Sequence, residues 1–196
     1  SFYEVRGYTD FSEIGATRDV AAGEAFDKIG RVIGLPYPGG AALDKLAYEG
    51  NPTAFKLPSP ALAGSELAFS FSGLKTAALN LIHTAEQRKE ALSHADLAAS
   101  YTDTIVRAIV KQTKLALDVS GCETLVLSGG VAANSHLRRA LSDFCAAHHV
   151  RFVTPPPALC GDNGAMVAAA GYFEYTAGQR ATTALNASAN DTVDGR

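Results

Sequence analysis

The stretch TLVLSGGVAANSHLRRALSDF, residues 124–144, decides the fold because it changes from strand to helix across two glycines. Residues 124–127 form an apolar run with the length of a short buried strand. Beyond the glycines, Leu137, Leu141 and Phe144 recur at helical spacing, so an amphipathic helix is predicted there. A strand, a glycine turn and a helix in succession are typical of an α/β domain.

Apolar spacing extends this pattern in both directions along the chain. We predict strands over residues 2–8, 11–16, 67–71 and 151–153, and helices over 20–33, 41–47, 72–85, 92–119 and 161–175. Asp19 is the candidate N-cap of its helix, and residues 49–67 read as an irregular connection because they are rich in proline and glycine. The helix of residues 161–175 is apolar nearly all round, which predicts that it is buried.

Composition excludes several classes of protein. The 196 residues are 47% hydrophobic and 19% charged, as in ordinary globular proteins, and the net charge of −3 argues against nucleic-acid binding by charge alone. Three widely spaced cysteines favour a reducing cytoplasm, where they would be small buried residues. No apolar run approaches the ~18 residues of a membrane span. Residues 177–196 are poor in large apolar groups and are expected to be disordered.

The glycine turn is the first candidate site. A helix that begins just after a strand leaves free backbone N–H groups at a positive dipole end, and glycines let a ligand approach them closely. The turn lacks the lysine of a P-loop and the three glycines of a dinucleotide fingerprint. A tight turn that requires φ > 0, with Asn134 as a helix cap, therefore explains it equally well.

Carboxylates mark two further candidates. Asp162 lies in a GDNG turn before an apolar helix, where an N-cap role would explain it without a ligand. Glu24 and Asp27 share a helix face, as two carboxylates on a solvated face often do. A glycine pair that includes Gly40 precedes Asp44 on the next helix, so backbone and carboxylate could meet one ligand there.

Four of these segments together resemble the tRNA threonylcarbamoyladenosine transferase family, long called O-sialoglycoprotein endopeptidases. They are AAGEAFDKIGRVIGLPYPGG at 21–40, FSFSGLKTA at 69–77, LSGGVAANSHLR at 127–138 and CGDNGAMVAAAGY at 160–172. Their order and spacing carry the resemblance, which runs from about Phe2 to Tyr175.

The resemblance implies the two-lobed ASKHA fold of actin, the heat-shock chaperone ATPases and sugar kinases, in which each lobe has an RNase H-like α/β core. Residues 1–18 are then expected to be strands that enter the C-terminal lobe, and residues 19–176 to form that lobe with helical insertions. The N-terminal lobe is expected to be largely missing. The implied reaction moves a threonylcarbamoyl group from threonylcarbamoyl-adenylate to N6 of the adenosine beside the anticodon, in tRNAs that read codons starting with A.

Site residues follow from the same resemblance, position by position. Gly130 and Asn134 would hold the adenylate, and Asp27, Gly40 and Asp44 would bond its ribose and neighbouring groups. The implied partners are tRNA, threonylcarbamoyl-adenylate and accessory proteins of the TsaB and TsaE type.

Asp162 matches the carboxylate that completes an iron (Fe²⁺) or zinc (Zn²⁺) site in the family. The two histidines of that site and an SGGH turn that contacts the substrate do not occur in this sequence. We therefore expect a fragment, roughly the last three fifths of the family's length, that does not modify tRNA alone.

Other functions remain open on the sequence alone. A non-catalytic lobe could bind a partner through the apolar stripe of residues 92–119, with Tyr101 in the interface. A metalloprotease would need an HExxH pair, and none occurs. Ser72 and Cys160 occupy turns but have no histidine near them in sequence. ATP hydrolysis, common among ASKHA relatives, would suit the glycine turn.

Overall fold

The computed structural model describes residues 1–62 and 67–186, which form helices and two small two-stranded sheets. The strands are β1 (Phe2–Gly7), β2 (Asp10–Gly15), β3 (Thr124–Val126) and β4 (Arg151–Val153). The helices are α1 (Ala22–Val32), α2 (Gly39–Leu46), α3 (Phe71–Arg88), α4 (His94–Ser120), α5 (Ser135–Ala147) and α6 (Gly164–Thr176). The chain is therefore an α/β protein, as its sequence predicts.

Helix α4 is the centre of the fold. It begins where Ser93 accepts a hydrogen bond from the Asp96 N–H at 3.2 Å, and it ends at Gly121 with a φ of +68°. Its apolar stripe packs against α1, α2 and α3 on one side, and against α5 and β3 on the other. The predicted helix over residues 92–119 is confirmed within two residues at either end.

Tyr101 lies in this core rather than on a partner-binding surface. Its side chain is fully buried, its ring meets the edge of Phe26, and its hydroxyl donates to the Ala25 carbonyl at 3.2 Å. Burial raises the pKa of Tyr101. The alternative in which this stripe forms an interface is therefore wrong, because the stripe is already covered by the chain's own helices.

The two sheets differ in direction and in burial. Strands β1 and β2 form the antiparallel hairpin that the sequence predicts, and β3 pairs with β4 in parallel from Thr124–Arg151 to Val126–Val153. The expectation that residues 124–127 form a buried strand is wrong, since Val126 is 61% exposed. A sheet of two strands, covered by helices on one face, leaves its other face open.

The strand predicted over residues 67–71 is replaced by two isolated bridges at Phe69, to Thr17 and to Ala61. Helix α3 begins at Phe71 because Asp19 caps it: its carboxylate accepts the Phe71 N–H at 2.9 Å and the Ser72 N–H at 3.3 Å. Asp19 is therefore not the cap of the helix that follows it, as its sequence position suggests. That helix, α1, begins after Ala21 without a side-chain cap.

Close backbone contact joins α1 to α2. A Cβ atom on Gly30 would lie 2.9 Å from the Cα and the carbonyl oxygen of Gly39. One on Gly39 would lie 2.9 Å from the Asp27 carbonyl oxygen. Both positions therefore require glycine, and their contact fixes how α2 crosses α1.

Helix α6 departs most from its prediction. None of its residues is buried, although it is apolar on nearly all sides. Tyr8 of the hairpin stacks on its Phe173, with 3.8 Å between the ring centroids. The sequence predicts disorder for residues 177–196. As far as residue 186 they contain turns but no helix or strand, and residues 187–196 lie outside the described residues. Within residues 1–62 and 67–186, none of the helices has both the length and the hydropathy of a membrane span.

The contact between Gly30 and Gly39 predicts the effect of Gly30→Ala. Overpacking at this crossing should lower the free energy of unfolding by about 1–3 kcal/mol, although alanine favours helices. Gly73→Ala on α3 is the matched control, since its Cβ would meet no atom within 4 Å. There the change should stabilise by up to about 1 kcal/mol. Urea denaturation of both variants measures the difference, and an equal response would contradict the proposed crossing.

Asp19 should make stability depend on pH below 4. Burial on its own raises the pKa of this carboxyl group, but hydrogen bonds from Ser70, Phe71 and Ser72 outweigh it and lower the pKa from 3.8 to about 2. The stabilisation is therefore complete above pH 3.8 and is lost as the pH falls towards 2.

Thermal unfolding of the parent and of Asp19→Asn from pH 6 to pH 2 tests this. The parent should be the more stable at pH 6, and the difference should close by pH 2. Asp143→Asn, at an exposed position on α5, is the control. A parent–variant difference that is constant across the range would show that the Asp19 carboxylate is not responsible.

Candidate functional site

The candidate site lies at the carboxyl edge of the β3–β4 pair. The last hydrogen bond between these segments runs from the Leu127 N–H to the Val153 carbonyl at 2.9 Å. Beyond it, residues 128–134 form the glycine turn and residues 154–163 form the loop that carries Asp162. Both segments leave the same edge because the strands are parallel, and ligands of open α/β sheets bind outside such an edge.

The glycine turn is bare backbone facing open space. Gly129 has a φ of +85°, which confirms that the turn needs a left-handed residue, and Gly130 begins a short 3₁₀ turn that ends at Ala133. A Cβ atom added to either glycine would meet no atom within 4 Å. Asn134 then caps α5 by accepting the Leu137 N–H at 2.8 Å. The sequence predicts this capping role for Asn134 as one of two possibilities.

Asp44 reaches the start of α5 from α2. Its two carboxylate oxygens accept the Ser135 N–H at 3.1 and 3.2 Å, and one of them also accepts the Ser135 hydroxyl at 2.8 Å. Tyr48 adds a contact of 2.8 Å between its hydroxyl and the Ser135 Oγ, and its ring stacks on His136 at 4.0 Å. Asp44 and Asn134, predicted separately, therefore meet at one helix terminus.

Ser135, Tyr48 and His136 have no counterpart among the predicted site residues. Ser135 is the first residue of α5, where a carboxylate favours the free N–H groups and the positive end of the helix dipole. Its place at the start of a helix is the feature of the sequence from which Ser135 could have been predicted as a site residue. Tyr48 lies 87 residues from Ser135 in the chain, so no local spacing pointed to it.

Asp27 and Gly40 are also in contact. The Gly40 N–H donates to the Asp27 Oδ1 at 2.7 Å, so this carboxylate holds the first turn of α2 against α1. Near its start, α1 approaches the glycine turn, where a Cβ on Gly23 would lie 3.3 Å from the Val131 side chain. Glu24, on the face predicted to include Asp27, is exposed.

Asp162 lies at the same edge, in the second loop. It is exposed, and Asn163 rather than Asp162 caps α6 by accepting the Met166 N–H at 3.0 Å. The described residues contain no group of three or more His, Cys, Asp or Glu side chains that could hold a metal ion. Asp162 and its surroundings therefore do not fit a metal by themselves.

Sequence comparison matches residues 1–169 to the family described as tRNA N6-adenosine threonylcarbamoyltransferase (TsaD). A curated relative of that name from Desulfitobacterium hafniense (strain Y51) is 47% identical over 181 residues, which are 92% of this chain and 53% of the relative. One from Geobacter sp. (strain M21) is 47% identical over 171 residues, 87% of this chain and 50% of the relative. The chain thus spans about half the length of the curated relatives it matches.

Two solved structures of HypF resemble the fold. Full-length HypF in its phosphate- and nucleotide-bound form has a TM-score of 0.58 and 18% sequence identity, over 80% of this chain and 20% of that chain. HypF of T. kodakarensis has a TM-score of 0.53 and 21% identity, over 79% of this chain and 20% of that chain. At these identities the likeness establishes a related fold and nothing about function.

Proposed function

The chain belongs to the tRNA N6-adenosine threonylcarbamoyltransferase family, and from this premise we propose that its carboxyl-edge site binds the adenylate part of threonylcarbamoyl-adenylate. One observation carries the proposal. The bare turn at Gly129 and Gly130 leads into the start of α5, which Asp44 holds at Ser135, and its next residue, Val131, approaches the start of α1, the helix that carries Asp27. Backbone donors, acceptors for hydroxyl groups and open space therefore occur together.

Each residue has a distinct proposed role. Free N–H groups of the glycine turn would face the negatively charged phosphate, since helix and turn N-termini favour anions. Asp27 uses Oδ1 for Gly40, which leaves Oδ2 to accept from a ribose hydroxyl. Asn134 uses Oδ1 for the Leu137 N–H, which leaves its Nδ2 group as a donor to the ligand.

In the proposed reaction, N6 of a tRNA adenosine attacks the carbamoyl carbon of the bound intermediate. The bond between that carbon and the phosphate oxygen breaks, AMP leaves, and the attacking nitrogen loses a proton. Residues that hold the adenylate contribute by fixing the carbamoyl carbon where the amine can reach it. The resemblance assigns Asp162 to an Fe²⁺ or Zn²⁺ site, but the described residues do not complete one.

The wider assignment is likewise a proposal. We place the chain in the ASKHA fold as a C-terminal lobe, acting on tRNA in the cytoplasm with accessory proteins of the TsaB and TsaE type. Family membership and the likeness to part of HypF support the fold, and the name shared by the curated relatives supports tRNA as substrate.

Gly130→Ala tests whether the open space above the turn is a ligand site. The added methyl meets no protein atom within 4 Å, so stability should be unchanged. Affinity for AMP, measured by calorimetry, should fall by about tenfold or more, because the methyl keeps the phosphate from the backbone N–H groups. Gly73→Ala is the control and should bind AMP like the parent. Equal affinity of Gly130→Ala and the parent would exclude an adenylate from this turn.

Asn134→Ala and Asp44→Ala test the surrounding polar groups. Each should weaken AMP binding, because a donor or an acceptor for the ligand is removed. Each also removes a cap from α5, which costs about 0.5–2 kcal/mol of stability. Ser93→Ala removes the cap of α4 away from the site and controls for that cost. Calorimetry that finds the same affinity in all three variants and the parent would remove Asn134 and Asp44 from the site.

A further inference from the structure

Arg138 lies on the first turns of α5, and its guanidinium group contacts both loops of the carboxyl edge. Its Nε donates to the Ala132 carbonyl, in the turn that follows the glycines. Its Nη2 donates to the Pro155 carbonyl at 2.6 Å and to the Cys160 Sγ at 3.0 Å, both in the loop that leads to Asp162. One side chain thus joins the two segments that carry the candidate site.

Little else joins them. Pairing of β3 with β4 ends at Val126 and Val153, with one further bond from the Leu127 N–H. Among the described residues, no hydrogen bond runs directly between residues 128–134 and residues 154–163. Beyond the strands, Arg138 is therefore the hydrogen-bonding link between the two loops in the described part of the chain.

The partners of Arg138 suit a geometric role. Arginine presents several N–H donors in a rigid plane, so it can hold two acceptors at a fixed separation, which the flexible amine of lysine cannot do. No carboxylate forms an ion pair with Arg138 in the part of the chain that the structure describes. It is held by two backbone carbonyls and a thiol instead. Cys160, only 5% exposed, keeps the second loop in place beneath the guanidinium.

We propose that Arg138 is a positioning residue that sets the glycine turn and the Asp162 loop at a fixed separation. The ligand on the turn and the loop that carries Asp162 are then held at a constant distance. The identity of that ligand rests on the proposed function, whereas the coupling of the two loops does not.

Arg138→Ala tests the coupling in the full chain. Hydrogen exchange should become faster in both loops, at residues 130–134 and 159–163, and remain unchanged in the centre of α4. Cys160 should become about tenfold more reactive towards iodoacetamide, the factor that the loss of one or two hydrogen bonds implies. Cys145 is the internal reference for global opening. It is fully buried on α5, and none of its hydrogen bonds among the described residues reaches either loop.

Two matched variants sharpen the comparison. Arg139→Ala removes the same charge from the next, exposed position and should change neither loop. Arg138→Lys keeps the charge without the planar fork and should restore only part of the protection. Faster exchange in one loop alone, or an equal rise in the reactivity of Cys160 and Cys145, would overturn the coupling.

AMP calorimetry on the same proteins separates this inference from the proposed function. The first outcome is that the parent binds AMP and Arg138→Ala binds it at least tenfold more weakly. One lost hydrogen bond allows a loss of affinity of this size, and the result would support positioning of the ligand site. If the two bind equally, that positioning role is wrong while the adenylate site stands. If the parent does not bind AMP, the proposed function fails, and the exchange and alkylation data still decide the coupling.

Discussion

The free N–H groups at the start of each helix are the constraint on which this structure depends. Such groups need an acceptor when they leave water, and a local side chain is the usual one. Ser93 and Asn163 are such local caps of α4 and α6, whereas at the starts of α2, α3 and α5 carboxylates from other parts of the chain accept as well. Asp19 accepts from the start of α3, Asp27 from the first turn of α2, and Asp44 from the start of α5. Each bond fixes where one helix begins and which neighbour it begins against.

This arrangement explains why the candidate site lies where helices begin. Two of the capping aspartates, Asp27 and Asp44, are also residues that the family resemblance assigns to the ligand. A carboxylate has acceptor sites for several donors, so it can hold a helix start and a ribose hydroxyl at once. The protein thereby positions ligand acceptors by the same bonds that position its helices, and loss of either aspartate affects both.

The departures from prediction share a cause as well. Helix α6 and strand β3 have the composition of buried elements, yet α6 is exposed and β3 is covered on one face only, since apolar composition specifies a need for cover and not the element that supplies it. The predicted strand over residues 67–71 is reduced to isolated bridges at Phe69, and its last residue, Phe71, begins a helix whose cap, Asp19, lies 52 residues before it. No local period contains that information.

The sequence on its own predicted the α/β class, the long helix α4 and the family, and it offered the glycine turn with φ > 0 and the capping role of Asn134 as one of two interpretations. The helix, the turn and the cap depend on spacing within about one helix or one turn, which local patterns record, and the class and the family depend on the order of such segments along the chain. Only the tertiary structure decided that Asp44 meets Ser135, 91 residues away, that Tyr101 is core, and that Arg138 joins two loops. Contacts between distant residues depend on how the helices pack, and packing at points such as Gly30 and Gly39 follows from three-dimensional fit.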